Sequence, residues 1–452
     1  MDVDFLRELK GKKVTVLGGG KSGLAAAKLL RRLGAEVFLS DIAPLPDEVK
    51  SKLDEMGVRF EDGGHTELAL ETEMIITSPG VPIHSDIIKK AKSRGIRVIG
   101  ELELGFRAID GTVVAITGTN GKSTVSSLIA HILRKRNVFL CGNIGNPLSE
   151  FAFKKGIFVL EVSSFQLTTI EEFRPAIAAI LNIAEDHTDW HGSFDEYVRA
   201  KRMITKNQRS NDHLILNFDE PLVRDTALET SAKVHFVSLK EAVNGAFFMD
   251  GALLVESDNY HKVLLQAIDM KIKGLHNIQN ALFAAVAAKL AGADFDEIRE
   301  GLRTFEGLPH RLQFVDVING VEFINDSKGT NPHAVEWALK GFKKKVILIM
   351  GGEDKGVDFT PLVNSVWHKV KLLIVMGKAR RKLKRVFANI VPTIEAQNMD
   401  DAVLKAYRAA DPGDTVLLSP GCASFDMFKN YKERGEKFVH AVKYLKAQEE
   451  GV

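Results

Sequence analysis

The chain has 452 residues, 45% hydrophobic and 27% charged, with a formal net charge of +2 and a pI of about 8.3; this suggests roughly two to four domains and argues against a concentrated nucleic-acid-binding face. Two distant cysteines, Cys141 and Cys422, exclude a disulfide framework or a cysteine-rich zinc site and fit a reducing compartment. No apolar run approaches the ~18 residues that cross a bilayer, and the opening MDVDFLRELKGKK lacks a signal-peptide core, so a cytoplasmic monomer without membrane insertion is expected.

In chain order, Val14–Leu17 reads as a strand, Gly18–Gly23 as a glycine-rich turn and Leu24–Leu33 as a helix. Val37–Leu39, ending at Ser40-Asp41, and Met74–Thr77, ending at Ser78-Pro79-Gly80, are further strands, a βαβ spacing that predicts a parallel doubly wound sheet. A second block opens with the strand Val113–Ile116 and the helix Val125–Arg134, followed by apolar strands at Phe158–Leu160 and Ile177–Leu181. Short β segments are expected from about Val234 to Ala267, then a buried, alanine-rich helix over Asn277–Leu290. After Gly307-Leu308-Pro309, which reads as a hinge, come strands Val346–Met350, Leu372–Met376 and Val416–Leu418 and a long helix over Phe425–Leu445. The basic stretch Lys378 to Arg385 reads as the solvated side of a helix. The whole is α/β: a Rossmann-like domain over 1–104, a central phosphate-loop ATPase domain over 105–308 and a second Rossmann-like domain over 309–452.

The strongest chemical signal is Thr117-Gly118-Thr119-Asn120-Gly121-Lys122-Ser123-Thr124, between a strand and a helix. Glycines let backbone N–H groups turn onto phosphate oxygens, the helix N-terminus adds positive potential, Lys122 neutralises phosphate charge and Ser123 ligates Mg2+. Ile116 stands where the common pattern has glycine. The turn Gly18-Gly19-Gly20-Lys21-Ser22-Gly23, with Asp41 downstream, admits three readings: an NAD(P) site of an oxidoreductase, a site for another nucleotide such as a UDP-sugar, or close strand–helix packing alone.

Further motifs follow in order: Glu161-Val162-Ser163-Ser164-Phe165-Gln166-Leu167; Asn182-Ile183-Ala184-Glu185-Asp186-His187; Tyr197-Val198-Arg199-Ala200-Lys201; Gly274-Leu275-His276-Asn277-Ile278-Gln279-Asn280; Leu308-Pro309-His310-Arg311; Asn325-Asp326-Ser327-Lys328-Gly329-Thr330-Asn331; and Leu418-Ser419-Pro420-Gly421-Cys422-Ala423-Ser424-Phe425-Asp426. This ordered set, spanning nearly the whole chain, resembles the Mur ligase family. Within that family, the glycine-rich N-terminal block and the SSFQL run are similar to the D-glutamate-adding branch.

The resemblance implies a reaction. ATP phosphorylates the carboxylate of UDP-N-acetylmuramoyl-L-alanine, and the amine of D-glutamate displaces phosphate from the acyl phosphate, with Mg2+ as cofactor. It also implies roles. Glu161 joins Ser123 as a metal ligand, His187 helps bind a second metal or the substrate, and a carbamylated Lys201 serves that second metal; Asn143 contacts the alanyl end. Gly19, Lys21, Ser22, Asp41, Ser78, Pro79 and Gly80 hold the UDP portion. Asn277 and Asn280 take the adenine edge, although a helix-cap network around Gly274–Asn277 would explain the first equally well. Arg311 and Asp326 resemble the groups that reach the γ-phosphate and the ATP ribose across a closable cleft. Lys328, Thr330, Lys355, Ser424 and Tyr431 resemble the amino-acid pocket. Tyr431 stands where the family commonly has Phe, and Gly351-Gly352-Glu353-Asp354-Lys355-Gly356 is acidic for a dicarboxylate site.

Overall fold

The computed structural model describes residues 1–451 apart from 187, 258, 259 and 355. The sequence-predicted His187 and Lys355 therefore lie outside the described residues. The chain divides into two compact units, Met1–Asp269 with Gln279–Thr304 and Met270–Ile278 with Phe305–Val452. Three sheets run through them, two in the first unit and one in the second.

The first sheet contains β1 (Lys13–Leu17), β2 (Glu36–Ser40), β3 (Arg59–Glu61), β4 (Met74–Thr77) and β5 (Arg97–Gly100) in the order β3-β2-β1-β4-β5, all parallel. The chain reverses direction of growth beside β1, and such switch points open a crevice at the carboxyl ends of strands. Register does the rest: Leu17 pairs with Ser40 and Thr77, so Gly18, Asp41 and Ser78 emerge side by side.

The second sheet joins β6 (Asp110–Thr117), β7 (Val138–Gly142), β8 (Lys155–Glu161), β9 (Ile177–Ile180), β10 (His213–Asn217), β11 (Lys233–Ser238), β12 (Gly245–Met249), β13 (Ala252–Ser257) and β14 (Tyr260–Gln266). Their order is β14-β13-β12-β11-β10-β9-β6-β8-β7. Strands from β7 to β12 are parallel, and β12, β13 and β14 form an antiparallel extension. Buried on both faces, β6 and β9 read as unbroken apolar runs, Val113–Ile116 and Ile177–Ile180. Ile116 pairs with Glu161 and Thr117 with Ile180, which fixes where the next residues of each strand meet.

The second unit carries β15 (Gln313–Ile318), β16 (Val321–Asn325), β17 (Val346–Gly351), β18 (Val370–Met376), β19 (Thr393–Glu395) and β20 (Thr415–Leu418), ordered β15-β16-β20-β17-β18-β19. Only the β15–β16 pair is antiparallel. The fold is α/β throughout, as expected. The last helix differs: it spans Tyr431–Glu449, not from Phe425. Phe425, Met427 and Phe428 imitate helical spacing, but the carboxylate of Asp426 takes the Lys378 amide at 2.8 Å, and Asn430 caps the amides of Lys432 and Glu433, so the helix starts only there. In the basic stretch, the helix Arg380–Phe387 buries Leu383 and Phe387 and exposes Arg381, Lys384 and Arg385.

Candidate active site

The turn after β6 is built from its backbone outward. Gly121 has φ of +87° and opens the helix Lys122–Ile132. A Cβ there would lie 2.6 Å from Asn280 Oδ1, and one on Gly118, at φ +149°, would meet Leu181 Cβ at 3.0 Å. Both positions need glycine for conformation as well as space. The turn is clasped from β9: Asn182 Oδ1 accepts from the Asn120 amide at 2.7 Å, and its Nδ2 donates to Asn120 O at 3.0 Å. Thr119 Oγ1 accepts from the Ala184 amide at 3.0 Å and shares a hydrogen bond with Tyr197 Oη at 3.0 Å.

Onto this frame converge the charged groups. Lys122 Nζ donates to Gly118 O at 2.8 Å and Thr119 O at 2.9 Å, which places the ammonium within its own turn. Ser123 Oγ donates to Glu161 Oε2 at 2.5 Å, and Asn143 Nδ2 donates to Glu161 Oε1 at 2.7 Å. Glu161, at the end of β8, thus gathers the two residues named for metal and substrate. The helix Phe194–Arg202 delivers Lys201, 2% exposed, whose Nζ donates to Gly118 O at 2.8 Å and lies 4.5 Å from the Tyr197 ring centre. Burial, then the neighbouring Lys122, drives the Lys201 pKa well below the ordinary lysine range, against the pull of Asp186 and Glu161. Thr124 is buried in the first turn of its helix.

Three further residues brace this frame: Asn182 and Tyr197, which open two of the motifs but have no role assigned there, and Glu220, which carries no sequence signal. Asn182 and Tyr197 act through strand register and helix phase. Glu220, raised to about 7 chiefly by burial, accepts from the Ile183 amide at 3.2 Å and so braces the segment that leads to Asp186.

At the first sheet, Asp41 uses both carboxylate oxygens on main chain: Oδ2 takes the Gly19 amide at 2.6 Å and Oδ1 the Ala43 amide at 2.9 Å. Ser78 Oγ donates to Gly18 O at 3.2 Å. Gly23 is buried against the turn, where a Cβ would stand 1.8 Å from Gly18 O. Lys21 and Gly80 are exposed, and Ser22 and Pro79 half-buried, on the same rim.

In the second unit, Asp326 is buried and accepts from Ser419 Oγ at 2.8 Å and the Leu312 amide at 3.3 Å. Burial pushes its carboxyl up to about 7, with Arg311 among the groups opposing the rise. Lys328 Nζ stands 4.0 Å above the Tyr431 ring. The Thr330 amide donates to Lys328 O at 2.9 Å, and the carbonyl of buried Ser424 accepts from Phe428 N at 2.9 Å. Arg434, absent from the sequence reading, ties these segments together. Its guanidinium donates to Ser327 Oγ and O at 3.0 and 2.8 Å and to Cys422 O at 3.0 Å. Its neighbour Gly435 leaves room for His310, whose Nδ1 would be 2.2 Å from a Cβ. Asn277 Nδ2 donates to Lys273 O at 2.9 Å, the capping arrangement, while Asn280 lies beside Gly121 in the first unit.

Family models match three stretches: the MurD N-terminal domain over residues 13–87, the Mur ligase middle domain over 116–288 and the Mur ligase glutamate ligase domain over 310–422. The chain is 41% identical to the UDP-N-acetylmuramoylalanine–D-glutamate ligase of Salinibacter ruber, covering 97% of this chain and 99% of that protein. It is 44% identical to the protein of the same name from Acidobacterium capsulatum, covering 96% and 97%. Among solved structures, a pseudomurein peptide ligase type C from Methanothermus fervidus shares the fold at a TM-score of 0.63 and 20% identity, covering 96% of this chain and 100% of that one. A MurF ligase from Thermotoga maritima in complex with ADP does so at 0.59 and 17%, covering 91% and 95%. None of these relatives supports the oxidoreductase reading of the first turn. From its first sheet to its last, the chain belongs to the Mur ligase family.

Proposed function

We propose that the chain is an ATP-dependent amide ligase that adds D-glutamate to UDP-N-acetylmuramoyl-L-alanine in peptidoglycan precursor synthesis, working as a cytoplasmic monomer. The observation that carries this reading is the convergence of Lys122, Ser123, Glu161, Asn143 and Lys201 on one glycine-framed turn. The names of full-length relatives supply the substrates. Boundaries near residues 104 and 308 separate a UDP-binding, an ATP-binding and an amino-acid-binding domain.

A carboxylate is a poor electrophile, so it needs a leaving group before an amine can displace it. ATP supplies the phosphoryl group, and Mg2+ neutralises phosphate charge. The donor set fits both: an ammonium inside a glycine turn suits a polyphosphate, and a hydroxyl paired with a carboxylate, Ser123 with Glu161, suits a hard cation. Lys122 stabilises charge as it shifts between phosphate oxygens. Asn143, oriented by Glu161, holds the alanyl carboxylate. Asn277 and Asn280 contact adenine, and Arg311 and Asp326 serve the γ-phosphate and ribose. Lys328, Thr330, Ser424, Tyr431 and Lys355 receive the D-glutamate carboxylates, and His187 joins the metal ligands.

Lys201 has a buried amine whose pKa burial and the neighbouring Lys122 drive well below the ordinary lysine range, which favours the neutral, nucleophilic form. That amine attacks CO2 and loses a proton, giving a carbamate anion that replaces a cation which would repel Mg2+.

Phosphate release from purified protein, ATP and Mg2+ tests the whole reading. Each UDP-muramoyl substrate is offered with a panel of D- and L-amino acids. Turnover confined to UDP-N-acetylmuramoyl-L-alanine with D-glutamate is expected. Preference for an L-amino acid, or hydride transfer with NAD(P)H, would refute it.

A further inference from the structure

Beside Asp41 lies a group that the reading above leaves unused. Ser40 closes β2 and pairs in register with Glu61 at the end of β3. The buried Ser40 Oγ lies 2.7 Å from Glu61 Oε1 and 2.7 Å from His65 Nδ1. Glu61 also receives the Thr66 amide at 3.0 Å and the Thr66 hydroxyl. Burial works against its ionisation, but the hydrogen bonds from Thr66 and Ser40 outweigh it and hold its pKa below the ordinary range. Glu61 is therefore a carboxylate, which only accepts. The one Ser40 hydroxyl hydrogen goes to Glu61, so the proton in the Ser40–His65 bond belongs to His65. The ring is fixed as its Nδ1–H tautomer, and Nε2 carries a lone pair.

Burial, opposed by Glu61 and Asp41, lowers the His65 pKa, so the ring is neutral at pH 7. It is half-buried, and among the described residues Nε2 has no hydrogen-bond partner. Its segment is anchored to Asp41 on both sides: the Asp41 amide donates to Glu61 O at 3.1 Å, and the Gly64 amide donates to Asp41 O at 3.2 Å. A rigid acceptor thus stands next to the carboxylate that organises the Gly18–Gly23 turn.

We infer that His65 is a nucleoside-binding residue, its Nε2 accepting a hydrogen bond from the imide N–H or a sugar hydroxyl of the nucleotide held beside Asp41. This rests on the proposal that the N-terminal turn binds the UDP portion of the substrate. A site built to accept such a bond discriminates against ligands that lack the donor, because the acceptor is then left unpaired.

Isothermal titration of the full chain with UDP tests it, using two variants. His65→Asn puts an amide nitrogen where Nδ1 stands, keeping the donation to Ser40 and removing the outward acceptor. His65→Gln keeps an outward carbonyl oxygen. About tenfold weaker UDP binding is expected for His65→Asn, with unchanged Tm and a matching rise in KM for the UDP-sugar. His65→Gln should stay within about threefold of the parent. Parent-like UDP affinity in His65→Asn would make His65 a brace for the loop and overturn the inference; so would equal weakening in both variants. Failure of the parent protein itself to bind UDP would remove the reading of the turn, and this inference with it.

Discussion

The chain contains two glycine-rich turns, each joining the first strand of a parallel sheet to a helix, and they do different work. In the turn after β6, the side chains carry the chemistry: Lys122 folds into its own loop, and Ser123 reaches Glu161 on a neighbouring strand. In the turn after β1, Lys21 points to solvent, and the backbone is organised instead by Asp41, which holds the Gly19 amide. Both sequences share Gly-Lys-Ser. The difference lies in what the adjacent strands bring: a carboxylate aimed at a hydroxyl in one, a carboxylate aimed at a main-chain N–H in the other. A glycine motif reports how a backbone must bend; the neighbouring strand ends decide what the bend can bind.

Exchanging the lysines breaks the comparison most sharply. Lys122→Ala should lower kcat by about a thousandfold or more with little change in Tm, since an ammonium acting on a transferring phosphoryl group contributes several kcal/mol to the transition state. Lys21→Ala should change kcat less than about threefold, because a residue that holds the UDP portion acts on KM rather than on phosphoryl transfer. Phosphate-release kinetics on both decide it, and equal losses would mean that the turns have been assigned wrongly.

Lys201 extends the chemistry of the turn after β6 through Gly118. Lys201→Ala should lose about a hundredfold in kcat, and millimolar acetate should restore part of it by supplying a carboxylate in the vacated space. Activity near the parent level, or no response to acetate or other short acids, would rule out a carbamate.

The turn after β1 should fail by packing. Gly23→Ala sets a methyl 1.8 Å from the Gly18 carbonyl oxygen, backbone against backbone, so the helix must shift. A loss of about 2–3 kcal/mol is expected, read as a lower midpoint in urea. A neutral substitution would show that the glycine there serves the ligand alone.

Much of this was legible in the sequence for a physical reason. Strands buried on two faces must be apolar without interruption, so β4, β6, β9 and β17 announce themselves, and a phosphate turn needs its glycines and lysine in one contiguous run. Ser163 and Gln166, three apart in the SSFQL run, form a reciprocal cap that the reading of that motif does not include. What stayed hidden depends on contacts distant in sequence. Asn182 opens one of the motifs, but its role is not legible there; only the β6–β9 register brings it to Asn120. Arg434 sits in the charged run Lys432-Glu433-Arg434-Gly435-Glu436, which reads as solvated, yet it is 1% exposed. Burial pulls its pKa down to about 10, so it remains a cation among carbonyls. Tyr197 and Lys201, one helical turn apart, share a buried face that charge patterning alone does not predict.

The smallest expected effect sharpens the contrast most finely. Asp41 serves two amides with two oxygens, Gly19 through Oδ2 and Ala43 through Oδ1. Asp41→Asn is nearly isosteric but offers one acceptor; its Nδ2 must face either the Gly19 or the Ala43 N–H, donor against donor. The turn should relax by losing one of these bonds, a cost on the order of 1–2 kcal/mol. Because the loss falls on the turn that frames the nucleotide, UDP should bind about five- to tenfold more weakly. The turn after β6 uses no atom of Asp41, so a non-hydrolysable ATP analogue should bind the variant as it binds the parent. Titration of both ligands into both proteins separates the two turns by a single oxygen-to-nitrogen change. Parallel weakening of ATP-analogue binding would mean that Asp41 acts on the stability of the whole first unit and not on its own turn.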